Sequence, residues 1–128
     1  MTLKNLIRQA LLKEENLVDL LSTAFYGNEW FTCEIPDKWK YLVKSSSDCR
    51  EDKWSDVLKG GGNITITDWE DDESKHDISL EDIVKGLEKL YNEHLNVYAR
   101  VMSFDGDADF YDADAVMQYA VYGEWVYG

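Results

Sequence analysis

The sequence is poor in proline, cysteine and, beyond Gly60, positive charge: it has one Pro, two Cys, and four Lys or Arg in its second half. Cys33 and Cys49 are separated by 15 residues, which is no disulfide framework of the sort that small secreted domains need. Two reduced thiols are expected. The start of the chain, Met1-Thr2-Leu3-Lys4-Asn5-Leu6-Ile7-Arg8, lacks the apolar stretch of a signal peptide. No run approaches the ~20 apolar residues of a membrane span. A cytoplasmic location is the expectation. Neither an internal repeat nor a linker is visible, so residues 1–128 read as a single domain.

Apolar and aromatic residues are plentiful. With 45% hydrophobic residues, five Trp and eight Tyr, the composition is far from that of chains that stay disordered despite high charge. The net charge is -13, and its distribution is uneven: Met1 to Gly60 holds nine basic and ten acidic residues, Gly61 to Gly128 four and sixteen. Such a field repels nucleic acid and anionic membranes and draws in cations or basic proteins. It also serves plain solubility.

Leu3, Leu6, Ile7, Ala10, Leu11, Leu17, Val18, Leu20 and Leu21 recur at helical spacing among charged residues, predicting one amphipathic helix over residues 3–24. Gly27-Asn28 is its expected stop. Residues 30–35 are aromatic and β-branched enough for a strand that Pro36 ends. From Asp37 to Leu58 the pattern weakens: Trp39, Tyr41, Leu42 and Val43 fit a short helix or a strand, Ser45 to Asp48 a polar loop, and Trp54, Val57 and Leu58 a helical turn, before Gly60-Gly61-Gly62 breaks the pattern. Asn63 to Trp69 alternates as a half-buried strand does, with Ile64, Ile66 and Asp68 on one face. An acidic turn over residues 70–75 and a short return at 76–78 complete a hairpin. Ser79 has the form of a helix cap, with Glu81 and Asp82 at the positive helix end, and the helix is expected to reach Arg100. After an acidic loop, Asp112 is the expected cap of a helix over 113–122 that Gly123 ends. The tail, Glu124 to Gly128, is apolar enough to pack on the core. The fold class is therefore α+β, three to four helices packed on a short antiparallel sheet.

Several chemistries are weighed by spacing. Asp105-Gly106-Asp107-Ala108-Asp109 alternates acidic oxygens as a calcium loop does, but such a loop needs Gly at its sixth place and Glu at its twelfth. Phe110 and Val116 stand there, so a solvated loop is expected. Cys33, Cys49, His76 and His94 include no closely spaced ligand pair for zinc. The triple glycine lacks the Lys-Ser or Lys-Thr of a phosphate loop. Ser, Cys, His and carboxylates are all present without a local nucleophile signature. No cofactor, metal or catalytic residue is assigned, and the chain is not read as an enzyme.

Carboxylates are densest at Asp68, Glu70, Asp71, Asp72, Glu73, Asp77, Glu81 and Asp82, and again at Asp105, Asp107, Asp109, Asp112 and Asp114. On one surface they would imitate duplex phosphates, which present one charge per ~1.7 Å of axis, and would bind a basic, nucleic-acid-binding host protein by charge complementarity. Binding to nucleic acid itself or to a membrane is not expected. The alternative is that they are ordinary loop and helix-start acids. Phe110, Tyr111, Tyr119, Tyr122, Trp125 and Tyr127 make an aromatic cluster suited to core packing. An exposed subset would support self-association, such as a homodimer.

Two stretches, 52–62 (Asp-Lys-Trp-Ser-Asp-Val-Leu-Lys-Gly-Gly-Gly) and 112–128 (Asp-Ala-Asp-Ala-Val-Met-Gln-Tyr-Ala-Val-Tyr-Gly-Glu-Trp-Val-Tyr-Gly), resemble small acidic proteins carried by phages and mobile elements of Gram-positive bacteria. The likeness is of overall pattern across the C-terminal two thirds, and it carries over no active residue. It implies host takeover or defence evasion inside a bacterial host cell. Anti-CRISPR proteins and anti-restriction DNA mimics are similar in size and charge. The expected function is thus inhibition of a host nucleic-acid-handling enzyme, with a self-associating assembly module as the alternative.

Overall fold

A computed structural model describes residues 1–26 and 30–127. Its elements run α1 (Leu3–Leu12), α2 (Asn16–Phe25), β1 (Phe31–Glu34), a 3-10 helix (Asp37–Leu42), α3 (Arg50–Lys59), β2 (Ile64–Asp68), β3 (Ser74–Ile78), α4 (Leu80–Glu93), α5 (Leu95–Ser103) and α6 (Phe110–Tyr122). The class is α+β, and the helices outnumber the expectation because both long ones are broken. The expected stop at Gly27-Asn28 lies outside the described residues.

The first break falls at Lys13-Glu14-Glu15, where the helical apolar stripe lapses between Leu11 and Leu17. Glu14 takes a left-handed φ of 49°. The Ala10 carbonyl accepts both the Lys13 amide at 3.2 Å and the Asn16 side-chain amide at 2.8 Å, so the break is bridged by hydrogen bonds. Leu11 and Leu17, on either side of the break, are both buried. The second break is at His94, whose amide closes α4 on the Leu90 carbonyl at 2.7 Å and whose carbonyl starts α5 by accepting from Val97 at 3.0 Å.

The sheet is antiparallel in the order β1-β2-β3. Its register sets Phe31 opposite Asp68, and Ile66 between Cys33 and His76. Alternation therefore turns Phe31, Ile64, Ile66, Asp68, His76 and Ile78 toward the helices, while Thr32, Glu34, Thr65, Thr67, Lys75 and Asp77 form the outer face. The core joins the inner side chains to Ile7, Leu11, Leu17 and Leu21 from α1 and α2, Val57 and Leu58 from α3, and Ile83, Leu87 and Leu90 from α4. Each such aliphatic burial contributes about 2 kcal/mol.

The two best-defined helix starts share one device. Ser79 accepts the Asp82 amide at 3.2 Å while the Asp82 carboxylate accepts the Ser79 amide at 2.9 Å, the reciprocal capping box. Asp109 and Asp112 do the same for α6. The cap is thus Asp109, three residues before the expected Asp112, which supplies the returning carboxylate. Gly123 ends α6 in the left-handed conformation, φ 71°, as glycine does at that position.

Helices α4 and α6 share the most extensive contact in the molecule, and Gly86 is what lets them meet. A methyl group there would lie 2.9 Å from the Ala120 amide nitrogen and 3.1 Å from the Tyr119 carbonyl carbon. Middle residues of α6 from Ala115 to Tyr119 are all buried. The one-sided pattern expected of Val116, Met117, Ala120 and Val121 gives way to burial nearly all round. Among the described residues no helix is long and apolar enough to cross a membrane.

Candidate functional site

The acidic residues divide into two sets by what their oxygens touch. Asp68, expected on an acidic surface, is fully buried, at 0% exposure. Its position on the Ile64 and Ile66 side of β2 carries it under α6 and the tail. There one oxygen accepts Tyr127 Oη at 2.6 Å and also Tyr122 Oη, while the other accepts the Glu70 amide at 2.9 Å. Burial pushes its carboxyl up, and the two tyrosine hydroxyls and the Glu70 amide more than offset this, holding it below the ordinary value. In return the Tyr122 hydroxyl is raised by burial and by Asp68, and Tyr127 by the Asp68 hydrogen bond foremost.

Asp112 is likewise withdrawn from the surface, 5% exposed. Arg100 grips it through Nε at 2.8 Å and Nη2 at 2.9 Å, a bidentate pair that lowers its carboxyl from the ordinary range. Asp114 is half-buried, accepting Trp30 Nε1 at 2.5 Å and Gln118 Nε2 at 2.8 Å. Asp82 is occupied in its capping box, and Glu81, though exposed, is held by Arg8 at 2.5 and 2.7 Å. These five acids correct the expectation that all thirteen carboxylates face outward. Four hold the fold from within or at a helix start, and the fifth is neutralised.

The remaining eight are exposed: Glu70, Asp71, Asp72, Glu73 and Asp77 on the hairpin, and Asp105, Asp107 and Asp109 between α5 and α6. None of them forms an ion pair with a described residue. The hairpin turn is set by Asp68, whose carboxylate and carbonyl receive the Glu70 and Asp71 amides, and Asp72 and Glu73 follow with left-handed φ of 50° and 60°. In the other loop Asp105 accepts the Ser103 hydroxyl at 2.7 Å and the Asp107 amide at 3.3 Å. The Ser103 bond leads in lowering the Asp105 carboxyl, while hydrogen bonding and repulsion from Asp105 raise Asp107. Helix α6 lies between the two loops: Asp109 caps it and Tyr122, at its far end, reaches Asp68. Thirteen helical residues span roughly 20 Å of axis.

One residue that composition did not single out, Gln118, organises this arrangement together with Asp114 and Tyr122. Asp114, Gln118 and Tyr122 are spaced i, i+4, i+8 and form one polar stripe along α6. Asp114 holds Trp30. Gln118 Oε1 accepts the Val126 and Tyr127 amides at 2.9 and 2.7 Å, and Tyr122 holds Asp68. The tail is thus fastened by its backbone, and Tyr127 is tucked in while Trp125 and Val126 stay 39% and 44% exposed. The four-residue spacing was the available signal for the stripe.

Ser74 Oγ lies 3.0 Å from His76 Nε2, and Tyr122 Oη lies 3.4 Å from the same nitrogen. A hydroxyl beside an imidazole is one element of a nucleophilic pair, which also needs a carboxylate on the other ring nitrogen and a place for substrate. Here the nearest carboxylates, Asp68 and Asp71, bond the hydroxyls of Tyr122 and Ser74. The arrangement reads as a hydrogen-bonded lining of the Asp68 site. Cys33 is half-buried and its thiol is raised, burial leading, which suppresses thiolate chemistry. Cys49 is exposed and donates to Glu51 at 3.1 Å. No group of three or more His, Cys, Asp or Glu placed to hold a metal ion occurs among the described residues.

The chain matches no protein-family model, no curated protein and no solved structure.

Proposed function

We propose that this chain is an interaction protein of phage or mobile-element origin that inhibits a host nucleic-acid-handling enzyme, presenting its two acidic loops to the enzyme's basic groove. The observation that carries the reading is the division of the carboxylates. Eight exposed acids, seven in two loops and Asp77 on β3, form no ion pair with a described residue, so their charge is available to an outside partner. The two patches lie toward opposite ends of α6, whose thirteen residues span roughly 20 Å of axis. The sequence pattern of residues 52–62 and 112–128 supports the phage or mobile-element context.

The test starts with affinity capture from a Gram-positive host lysate, followed by binding measured against salt. Capture of a basic nucleic-acid enzyme is expected, with affinity falling steeply as salt rises. Neutralising Glu70, Asp71, Asp72 and Glu73 to their amides should flatten that slope, as should Asp105→Asn with Asp107→Asn. A partner bound with no salt dependence, or no nucleic-acid-handling partner at all, would sink the proposal.

The second reading is self-association, favoured by an exposed apolar group. Trp125 and Val126 are joined by Tyr91 and Leu95, 42% and 54% exposed, around His94, whose ring centroid lies 5.3 Å from that of Trp125. Trp125→Glu should convert an oligomer to monomer in light scattering, without touching Tyr127. A wild-type monomer at high concentration excludes this reading.

A further inference from the structure

A cleft of about 280 Å³ opens between α2, α5 and the α5–α6 loop, away from the Asp68 site. Its apolar lining is Leu20, Val101, Phe104 and Ala113, and its two charged groups are Asp19 and Arg100. Those two charges are not equivalent. Arg100 is already spent on Asp112 through two hydrogen bonds of 2.8 and 2.9 Å. Asp19 is exposed and forms no ion pair with a described residue.

The surroundings push in the same direction. Gly106 and Ala108 line the cleft and are interleaved with Asp105, Asp107 and Asp109. With Arg100 paired to Asp112, Asp19 is the charge in the lining that forms no ion pair with a described residue, over an apolar floor. Phe104 holds a left-handed φ of 51°, a conformation that costs a residue of this kind energy and persists where its surroundings enforce it. Here it places an aromatic side chain in the lining. Ligand pockets for drug-sized molecules run from ~300 Å³ upward, so this cleft sits at the small end of that range.

From this geometry we infer that the cleft is a binding site for a small amphipathic cation: one ammonium or guanidinium head set against Asp19, and one compact apolar body set against Leu20, Val101 and Phe104. A free organic amine and a lysine side chain beside an apolar residue share this chemistry. The inference is separable from the partner proposed above, since it concerns a ligand of a different size, although the α5–α6 loop borders both.

The test is an amide-resolved NMR titration of the full chain with phenethylamine, with 3-phenylpropionate and phenethyl alcohol carrying similar bodies without the positive charge. Saturable shifts are expected for phenethylamine at residues 19–23 and 100–108, with a dissociation constant on the order of 10 mM for so few atoms. Asp19→Asn should weaken binding about fivefold. Phe104→Gly keeps the left-handed turn, since glycine adopts it freely, and should weaken binding while the rest of the spectrum stays folded. A blocked Phe-Lys dipeptide shifting the same amides more strongly than phenethylamine assigns the site to a protein side chain, and the reverse order assigns it to a free amine. Equal binding of phenylpropionate, shifts clustered elsewhere, or no saturable shift up to about ten times that concentration overturns the inference.

Discussion

The two ends of α6 each bury a carboxylate, and they do so by opposite means. Near its start Asp112 is met by a guanidinium, a full countercharge whose owner, Arg100, remains 46% exposed at its side chain. Beyond its end Asp68 has no cation in its contacts and relies on two tyrosine hydroxyls and a backbone amide. Removing Asp112 would leave Arg100 free to rehydrate, whereas removing Asp68 strands two tyrosine hydroxyls on partly buried side chains. A buried charge is thus most costly to delete where its partners have nowhere else to go.

That contrast sets the order of expected effects. Asp68→Ala should destabilise most, by about 3 kcal/mol, and should also make the tail more susceptible to protease, because Tyr127 loses its acceptor. Asp112→Ala should cost less, about 2 kcal/mol, combining a lost helix-start bond with a lost ion pair. Both are read from urea unfolding, and a larger loss for Asp112→Ala would reverse the comparison. Tyr127→Phe removes one of three donors to Asp68 and should cost about 1 kcal/mol in the same measurement.

The pH profile separates the two ends further. Both carboxyls are lower in the folded state than in the unfolded chain, where carboxyls titrate near 3.9. Their contribution is therefore fully present above pH ~4 and is lost as pH falls through the folded values. Arg100→Met should leave the Asp68 share of that acid loss and remove much of the Asp112 share. At high pH the tyrosines act with the opposite sign. Tyr122 and Tyr127 are raised in the folded state, so stability should fall as pH climbs above ~10, where unfolded tyrosines ionise. The fall should be shallower in Tyr127→Phe, and an unchanged alkaline limb would contradict the assigned network.

Asp68 also shows how the sequence can be read correctly in one way and misread in another. Alternation along β2 places it with Ile64 and Ile66, facing the core, and the structure agrees. Counting acids places it on the surface, and that is overturned because a single carboxylate can be satisfied indoors by partners 54 and 59 residues away. Local signals fared well wherever the physics is local. Ser79 caps α4, Gly123 stops α6, and Pro36 follows the end of β1. Of the breaks at Glu14 and His94, the first had a faint trace in the lapse of the apolar stripe between Leu11 and Leu17. Exposure of the hairpin and α5–α6 loop acids was legible, since turns keep charge in water. The 3-10 helix at Asp37–Leu42 follows no periodicity that residues 37–58 display.

The polar stripe on α6 has a consequence in time as well as in space. Asp114 ties down Trp30, 84 residues earlier, and Tyr122 ties down Asp68, 54 residues earlier. During synthesis the hairpin therefore emerges long before its fastening does, and Asp68 waits in water until α6 leaves the ribosome. Contacts that close such long loops come late and slow folding. Loss of the stripe should accordingly show more in how fast the molecule comes apart than in how fast its hairpin and first helices assemble.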